Sequence, residues 1–202
     1  LDDDVLKART DMMVQSQTFG IMREPDAIVG AKRITAPKLQ SIFRAAAKKS
    51  GVPASWLEAI AYLESWGDPR AQSPSGPKGI MQISAGTARV MGLRIVSAKR
   101  YKSSKVRVRV KSKSKKPVYK TVTRRTPYRV IVRDDRLVPA RAIPAAAVYL
   151  SGMAQRFGGM DWATFAYHCG EGCVSQMMEI TRRAKGIPDD DVTVPRMFFS
   201  SN

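Results

Sequence analysis

One acidic side chain, Glu64, stands between an apolar helical stretch and a long turn rich in glycine and proline. The stretch over 56–63 leaves scarcely any polar face, and Glu64 falls four residues after Ile60, on the same side of the predicted helix. A carboxyl group held among apolar side chains keeps its proton near neutral pH. Glu64 is therefore a candidate proton donor, as cleavage of a glycosidic bond requires. The alternative is a helix-terminal glutamate that faces water or pairs with Arg70.

A second catalytic carboxylate is difficult to find in this chain. Most glycosidases use two, one as the acid and the other as nucleophile or base. Between residues 69 and 133 the sequence contains no Asp or Glu. The remaining candidates are Asp68, Asp134, Asp135 and Glu171. The sequence therefore favours a one-carboxylate mechanism in which the substrate itself takes part, with Ser73, Gln82 and Tyr167 as neutral hydrogen-bonding groups.

The hydrophobic periodicity predicts a mainly helical protein. Apolar residues at helical spacing predict helices over about 36–50, 53–66, 84–91, 143–157, 161–169 and 172–184. Gly51 and Gly92 suit helix ends, and Pro53 suits a first helical turn. Residues 67–79 include three prolines and three glycines, which predicts an irregular connection.

The positive charge is concentrated in one segment. The net charge is +18, and fifteen of the 35 Lys and Arg residues lie between 97 and 133, where there is no acid. Valine alternates with basic residues over 105–111, which predicts a half-buried strand, and the runs at 118–122 and 128–132 predict further strands. We therefore predict a basic β-ribbon inserted at about 99–133, so that the fold class is mainly α, or α+β.

The basic ribbon has three interpretations. It is a solvated insertion that only aids solubility, or it attaches the protein to anionic envelope polymers or to a protein partner by salt-sensitive attraction. Nucleic-acid binding is the least favoured, because the segment offers few rings that could stack on bases. Those rings belong to Tyr101, Tyr119 and Tyr128.

Several motifs in order resemble one known family. They are Glu64-Ser65, Ala71, Ser73-Pro74, Gly76, Gly79-Ile80-Met81-Gln82-Ile83, Asp134-Asp135-Arg136, Tyr149-Leu150, Phe157-Gly158 and Ala166-Tyr167-His168-Cys169-Gly170-Glu171-Gly172. Over about residues 38–184 this order resembles the soluble lytic transglycosylases, relatives of goose-type lysozyme. The resemblance implies a lysozyme-like helical domain that acts on peptidoglycan glycan strands.

The resemblance also implies roles for single residues. Glu64 would protonate the β-1,4 bond between N-acetylmuramic acid and N-acetylglucosamine, then act as a base so that a 1,6-anhydro sugar forms. The implied substrate-binding residues are Ser73, Met81, Gln82, Tyr167 and His168, the last in place of the family's usual asparagine. A buried core position is equally natural for Met81. Gly79 is expected to be structural, and Ser65 either holds the helix end or touches substrate.

Two other kinds of protein stay open as alternatives. One is a lysozyme-type hydrolase, and the other is a cell-wall-binding or nucleic-acid-binding module with an inactive cleft. The single histidine, His168, excludes zinc sites built on two histidines, and we expect no cofactor. Cys169 and Cys173 lie four residues apart, which leaves open a local disulfide, two free thiols or a metal pair completed by His168.

We predict three regions along the chain and an exported location. The regions are an N-terminal arm over 1–35, a catalytic domain over 36–186 that carries the insertion, and an extended C-terminal tail over 187–202. We expect the protein in the periplasm or cell envelope. The chain begins at Leu1 rather than methionine, which is typical of a processed or trimmed product. No run approaches the roughly 18 apolar residues that a membrane span requires.

Overall fold

The computed structural model describes residues 3–111, 116–185 and 192–199. In chain order its elements are α1 Asp3–Met22, α2 Ala27–Ile34, α3 Pro37–Ser50, α4 Ala54–Ser65, α5 Ala85–Val90, β1 Ile95–Val110, β2 Val118–Asp134, a 3-10 turn Asp135–Leu137, α6 Pro139–Phe157, α7 Met160–Cys169, α8 Glu171–Lys185 and α9 Val194–Phe199. The predicted fold class, mainly α with an inserted β-ribbon, is confirmed. The parts of the predicted arm, ribbon and tail at 1–2, 112–115, 187–191 and 200–202 lie outside the described residues.

Helices α3, α4 and α6 enclose the main core. Among its fully buried side chains are Phe43 of α3, Leu57 of α4, and Ile143 and Leu150 of α6. Helix α4 is less buried than its apolar sequence predicts, because Leu63 near its end is 61% exposed. The Leu63 side chain lines a cavity. Part of the apolar surface of α4 therefore packs in the core, and part of it lines this cavity.

Helix α2, which lies within the predicted N-terminal arm over 1–35, packs against α4. The Tyr62 hydroxyl donates a hydrogen bond to the Ala27 carbonyl oxygen at 3.1 Å. A Cβ atom at Gly30 would lie only 2.9 Å from the Tyr62 ring. Because α2 and α4 approach this closely, residues 27–34 belong to the helical domain.

The C-terminal prediction is wrong for residues 194–199, which form helix α9 instead of an extended segment. Its Met197 is buried and belongs to a second apolar cluster that also contains Trp162 and Val174. The sequence analysis predicted an extended segment because the six residues of α9 are too few to show a helical hydrophobic period. Tertiary packing stabilises such short helices more than propensity does.

The ribbon consists of two long antiparallel strands, from the Ile95–Asp134 pair to the Val110–Val118 pair. It therefore begins earlier than the predicted 99–133, and the predicted separate runs belong to only two strands. The register shifts between Val96 and Ser97, which marks a bulge near the root. Most ribbon residues are exposed. Among the described residues, no helix is long and apolar enough to cross a bilayer.

Candidate active site

Glu64 lies in the last turn of α4, and 23% of its side chain is exposed. It lines a cavity of about 260 Å³ whose other walls are Ile60, Leu63, Thr164, Tyr167 and His168. Its Oε1 atom lies 3.4 Å from Nδ1 of His168. The carboxyl group is thus flanked by apolar side chains yet reachable from solvent, which is less enclosed than the sequence predicts.

A second cavity, of about 250 Å³, adjoins the first because Tyr167 and His168 line both. The rest of its wall consists of Pro77, Gln82, Ile83, Ser84, Thr87, Tyr149, Ala166, Cys169 and Gly170. We call the two cavities together the Glu64 cleft. Of the predicted site residues, the cleft brings together Glu64, Gln82, Tyr167 and His168.

The segment 72–83, which we call the cleft loop, is held in place by close contacts of its backbone, one with Arg136 and one within the loop. Gly79 has φ +79°, and a Cβ atom there would lie 1.9 Å from the Arg136 carbonyl oxygen. Gln82 also has a positive φ, of 43°, and its side-chain amide donates to the Gly79 carbonyl oxygen at 2.9 Å. A left-handed non-glycine residue is strained and is found mainly where structure or function demands it.

Ser65 connects the end of α4 to the cleft loop. Its hydroxyl group is buried and lies 2.8 Å from the Ile80 carbonyl oxygen and 3.1 Å from that of Ala61. These contacts match the structural alternative for Ser65, in which it holds the helix end. Glu64 and the cleft loop are therefore tied together by the residue next to Glu64.

Tyr167 closes the other side of the cleft. Its hydroxyl donates a hydrogen bond of 2.7 Å to the Met81 carbonyl oxygen. Burial raises the pKa of Tyr167 far above its ordinary value, with the Glu64 carboxylate and Tyr149 acting in the same direction, so the phenol stays neutral. The Met81 side chain is fully buried in the core, so it does not line the cleft as the resemblance implied. Met81 contributes its backbone carbonyl instead.

Ser73 is not among the residues that line the two cavities. Its hydroxyl lies 2.7 Å from that of Ser75 in the cleft loop and accepts a 3.3 Å hydrogen bond from the Ser75 amide.

Tyr149, in contrast, lines the cleft although sequence reasoning gave it no site role. Its ring packs edge-on against Tyr167 at 6.2 Å. Its membership of the Tyr149-Leu150 motif was the available signal.

The two acids at the root of the ribbon, Asp134 and Asp135, pair with arginines and line neither described cavity. Arg136, itself buried, donates to Asp134 through Nε at 2.9 Å and Nη2 at 2.7 Å, and its Nη1 reaches the Gly76 and Ile83 carbonyl oxygens of the cleft loop. The hydrogen bond from Arg136 holds the pKa of Asp134 below its ordinary value. A bidentate pair of this kind is strong and directional.

Asp135 is equally committed to arginine partners. It accepts hydrogen bonds from Arg133 Nε at 2.9 Å, Arg141 Nη1 at 2.6 Å and the Arg94 amide at 3.1 Å. Burial alone would raise the pKa of Asp135, but the bonds from Arg133 and Arg94 outweigh it and lower the pKa. Asp135 therefore stays ionised and closes the root of the ribbon.

The other two candidate acids are also engaged. Asp68 accepts a 2.8 Å hydrogen bond from the Arg70 amide, so it caps the turn after α4. Glu171 forms an ion pair with Arg156 and accepts a 3.3 Å hydrogen bond from the Tyr149 hydroxyl. None of these carboxylates lines either described cavity. Glu64 is the one acid that does.

Cys169 and Cys173 are joined by a disulfide with a Cα–Cα distance of 5.8 Å. The bridge spans Gly170 and ties the end of α7, which carries Tyr167 and His168, to the first turn of α8. It leaves neither thiol for a metal. Within the described part of the chain, no cluster of three or more His, Cys, Asp or Glu residues could hold a metal ion.

Fold and site together define a helical protein whose cleft is built around one carboxylate and neutral polar groups. The family model described as "Transglycosylase SLT domain" matches residues 41–108 and 116–188. The chain therefore belongs to the transglycosylase SLT domain family. The unmatched residues between the two ranges, 109–115, begin within the last two residues of β1 and end before β2.

Individual relatives are considerably longer than this chain. The peptidoglycan transglycosylase gp16 of Escherichia phage T7 is 32% identical over 132 residues, which are 65% of this chain and 8% of that protein. The membrane-bound lytic murein transglycosylase F of Alcanivorax borkumensis is 28% identical over 161 residues, 76% of this chain and 26% of that protein. A solved structure of an inactive mutant of lytic transglycosylase Slt from Pseudomonas aeruginosa aligns with TM-score 0.44 and 24% identity, covering 69% of this chain and 18% of that one.

Proposed function

We propose that this chain is a lytic transglycosylase that cleaves the β-1,4 bond between N-acetylmuramic acid and N-acetylglucosamine in peptidoglycan. Glu64 donates its proton to the glycosidic oxygen as the bond from that oxygen to C1 breaks. The resulting carboxylate then accepts the proton of the muramyl C6 hydroxyl, whose oxygen forms a bond to C1. One fragment ends in a free N-acetylglucosamine hydroxyl and the other in 1,6-anhydromuramic acid, and no water is consumed.

The observation that supports this proposal most is the single carboxylate. Glu64 is the one acid among the side chains that line the two described cavities. Hydrolysis of the usual kind needs a second carboxylate to attack C1 or to activate water. Asp134 and Asp135 are paired with arginines instead. With a single acid–base residue, the nucleophile is then a hydroxyl group of the substrate itself, which that residue deprotonates.

The neutral groups of the cleft suit an aminosugar strand. The amide of Gln82 and the rings of Tyr149 and Tyr167 offer hydrogen-bonding and apolar surface to a sugar, and we propose them as substrate contacts. His168, 82% exposed and 3.4 Å from Glu64, is proposed to hold the carboxyl group in one orientation at the rim. Ser73 is proposed as a contact for a more distant part of the strand.

Product analysis tests the reaction. Purified sacculi digested with the protein should yield muropeptides that end in 1,6-anhydromuramic acid, which mass spectrometry distinguishes because they are lighter by one water. Glu64→Gln should reduce turnover by roughly 10²–10⁴-fold or more, since one group serves both proton transfers. Its binding to sacculi should persist.

A matched control is available on the same helix. Glu58→Gln makes the same chemical change in α4 but outside the two cavities, and it should leave turnover near that of the native chain. Muropeptides with only reducing muramic acid ends would reassign the protein as a hydrolase. Equal activity of the Glu64 and Glu58 variants would refute the role of Glu64.

We propose a location in the periplasm or elsewhere in the cell envelope, where the substrate lies. The Cys169–Cys173 disulfide supports this, because such bonds persist in oxidising compartments and are rare in the cytosol. Fractionation of cells that express the protein would contradict the proposal if it remained cytosolic with both thiols reduced.

A further inference from the structure

One face of the ribbon carries six cations in a regular array, against four among the paired residues of the other face. Directly paired residues of antiparallel strands share a face, so the strand register places a set of cations together with two tyrosines. We call it the Lys99 face, and it comprises Lys99, Lys105, Arg107, Arg109, Arg125 and Arg129 with Tyr101 and Tyr119. Cations two residues apart on one strand are spaced by about 7 Å. These residues are all exposed.

This arrangement is costly for the ribbon itself. Lys99 and Arg129 are paired directly across the two strands, and like charges in that position repel each other. No acid occurs anywhere from 95 to 133, and Asp134 at the end of β2 is paired with Arg136, so no carboxylate of the ribbon neutralises them. Valine pairs such as Val106–Val122 stabilise the ribbon from the opposite face, but they do not require cations on this one. The charge therefore indicates an anionic partner.

The chemistry of the face favours a hydrated polymer over a lipid or a nucleic acid. The valines of pairs such as Val106–Val122 lie on the other face, and the one valine, leucine or isoleucine side chain among the described residues of the Lys99 face is Ile131, next to the root, so most of the length of this face offers nothing to the interior of a bilayer. Its tyrosines are already covered: Lys99 and Arg125 lie 5.4 and 4.9 Å from the Tyr101 ring centre, and Arg107 lies 5.4 Å from that of Tyr119. Rings occupied by cations are poor platforms for bases.

The ribbon starts at the wall of the Glu64 cleft. Asp135 and Arg94 close its root by two hydrogen bonds between them, one from each backbone amide. Next in the chain, Arg136 binds the carbonyl oxygen of Ile83, a residue that lines the cleft. With 16 residues in β1, the ribbon is about 50 Å long.

We infer that the Lys99 face is a second binding surface for the substrate polymer, and that it binds the carboxylates of peptidoglycan stem peptides. The inference rests on the proposed function for the identity of the polymer. The face adds affinity for long, peptide-bearing strands and takes no part in the proton transfers at Glu64.

The test compares two triple variants with the same loss of charge. Lys105→Gln, Arg107→Gln and Arg109→Gln remove three of the six cations of the Lys99 face. Lys102→Gln, Lys120→Gln and Arg124→Gln remove three cations from the opposite face as the matched control. Both sets are introduced into the Glu64→Gln chain, and binding to sacculi is measured by co-sedimentation at low and moderate salt. Circular dichroism confirms that both variants are folded.

We expect the Lys99-face variant to lose roughly tenfold in affinity at low salt and the control less than about twofold. An amidase removes the stem peptides from sacculi. To sacculi treated in this way, the Glu64→Gln chain with a native ribbon and the Lys99-face variant should bind equally weakly. Equal losses in both variants, or binding unaffected by the amidase, would overturn the inference, as would stronger ribbon-dependent binding to anionic vesicles or DNA. Because binding needs no turnover, these outcomes are independent of whether anhydro products form.

Discussion

Gly79 is the position in the cleft loop where the structure most strictly requires glycine. Gly79→Ala should lower the free energy of unfolding, and this loss has two parts. The first part is conformational, because alanine at φ +79° costs about 1–2 kcal/mol. The second is steric: the new Cβ would lie 1.9 Å from the Arg136 carbonyl oxygen, so backbone must move. Forced overpacking of this kind costs roughly 1–3 kcal/mol, which gives a total of about 2–5 kcal/mol.

Gly92→Ala is the control that separates the two parts, because the difference between the two variants gives the steric part. Gly92 has a similar φ of +73°, but a Cβ there meets nothing within 4 Å, so it should cost only the conformational 1–2 kcal/mol. Urea denaturation of the two variants and the native chain measures both free energies of unfolding. Turnover on sacculi should fall in Gly79→Ala, because the turn that carries Gln82 is displaced, and persist in Gly92→Ala. Equal destabilisation by the two substitutions would refute the close contact between the cleft loop and Arg136.

Two further predictions concern the groups that hold the cleft. Tyr167→Phe removes the hydrogen bond to the Met81 carbonyl, and urea denaturation should show a loss of about 1–2 kcal/mol; an unchanged stability would mean that the bond contributes nothing. Asp134→Asn should destabilise the protein at pH 7 because it breaks the buried pair with Arg136. Since the folded pKa of Asp134 lies below the unfolded value near 3.8, its contribution is present above that pH and lost below it, so the difference from the native chain should shrink between pH 4 and 2. A difference that stays constant with pH would contradict this.

Periodic features of the sequence predicted the elements that carry the site. Helix α4 and the position of Glu64 follow from helical spacing, and the ribbon follows from alternation of valine and basic residues. Both signals are local, and each repeats over several turns or residue pairs. The same reasoning failed for α9, whose six residues are too few to show a period.

The direction of side chains in the cleft loop could not be read from sequence. An irregular segment has no period, so nothing distinguished Met81, which points into the core, from Gln82, which lines the cleft. The αL backbone of Gln82 was equally hidden, since glycine is the residue that normally signals it. The exposure of Leu63 was missed for a different reason: a hydrophobic side chain predicts burial in a core, but ligand-binding clefts have apolar walls too.

Two of the acids considered as second catalytic residues, Asp134 and Asp135, are instead part of the cleft wall and of the root of the ribbon. Arg136 is buried, and an unpaired guanidinium there would be strongly destabilising. Asp134 supplies the compensating charge, and the remaining donors of Arg136 bind the Gly76 and Ile83 carbonyls, which fixes the cleft loop to the root of the ribbon. Movement of either carboxylate toward a substrate would therefore break the wall that shapes the cleft. Under the proposed function, proton transfer then falls to Glu64, and the sugar supplies the nucleophile.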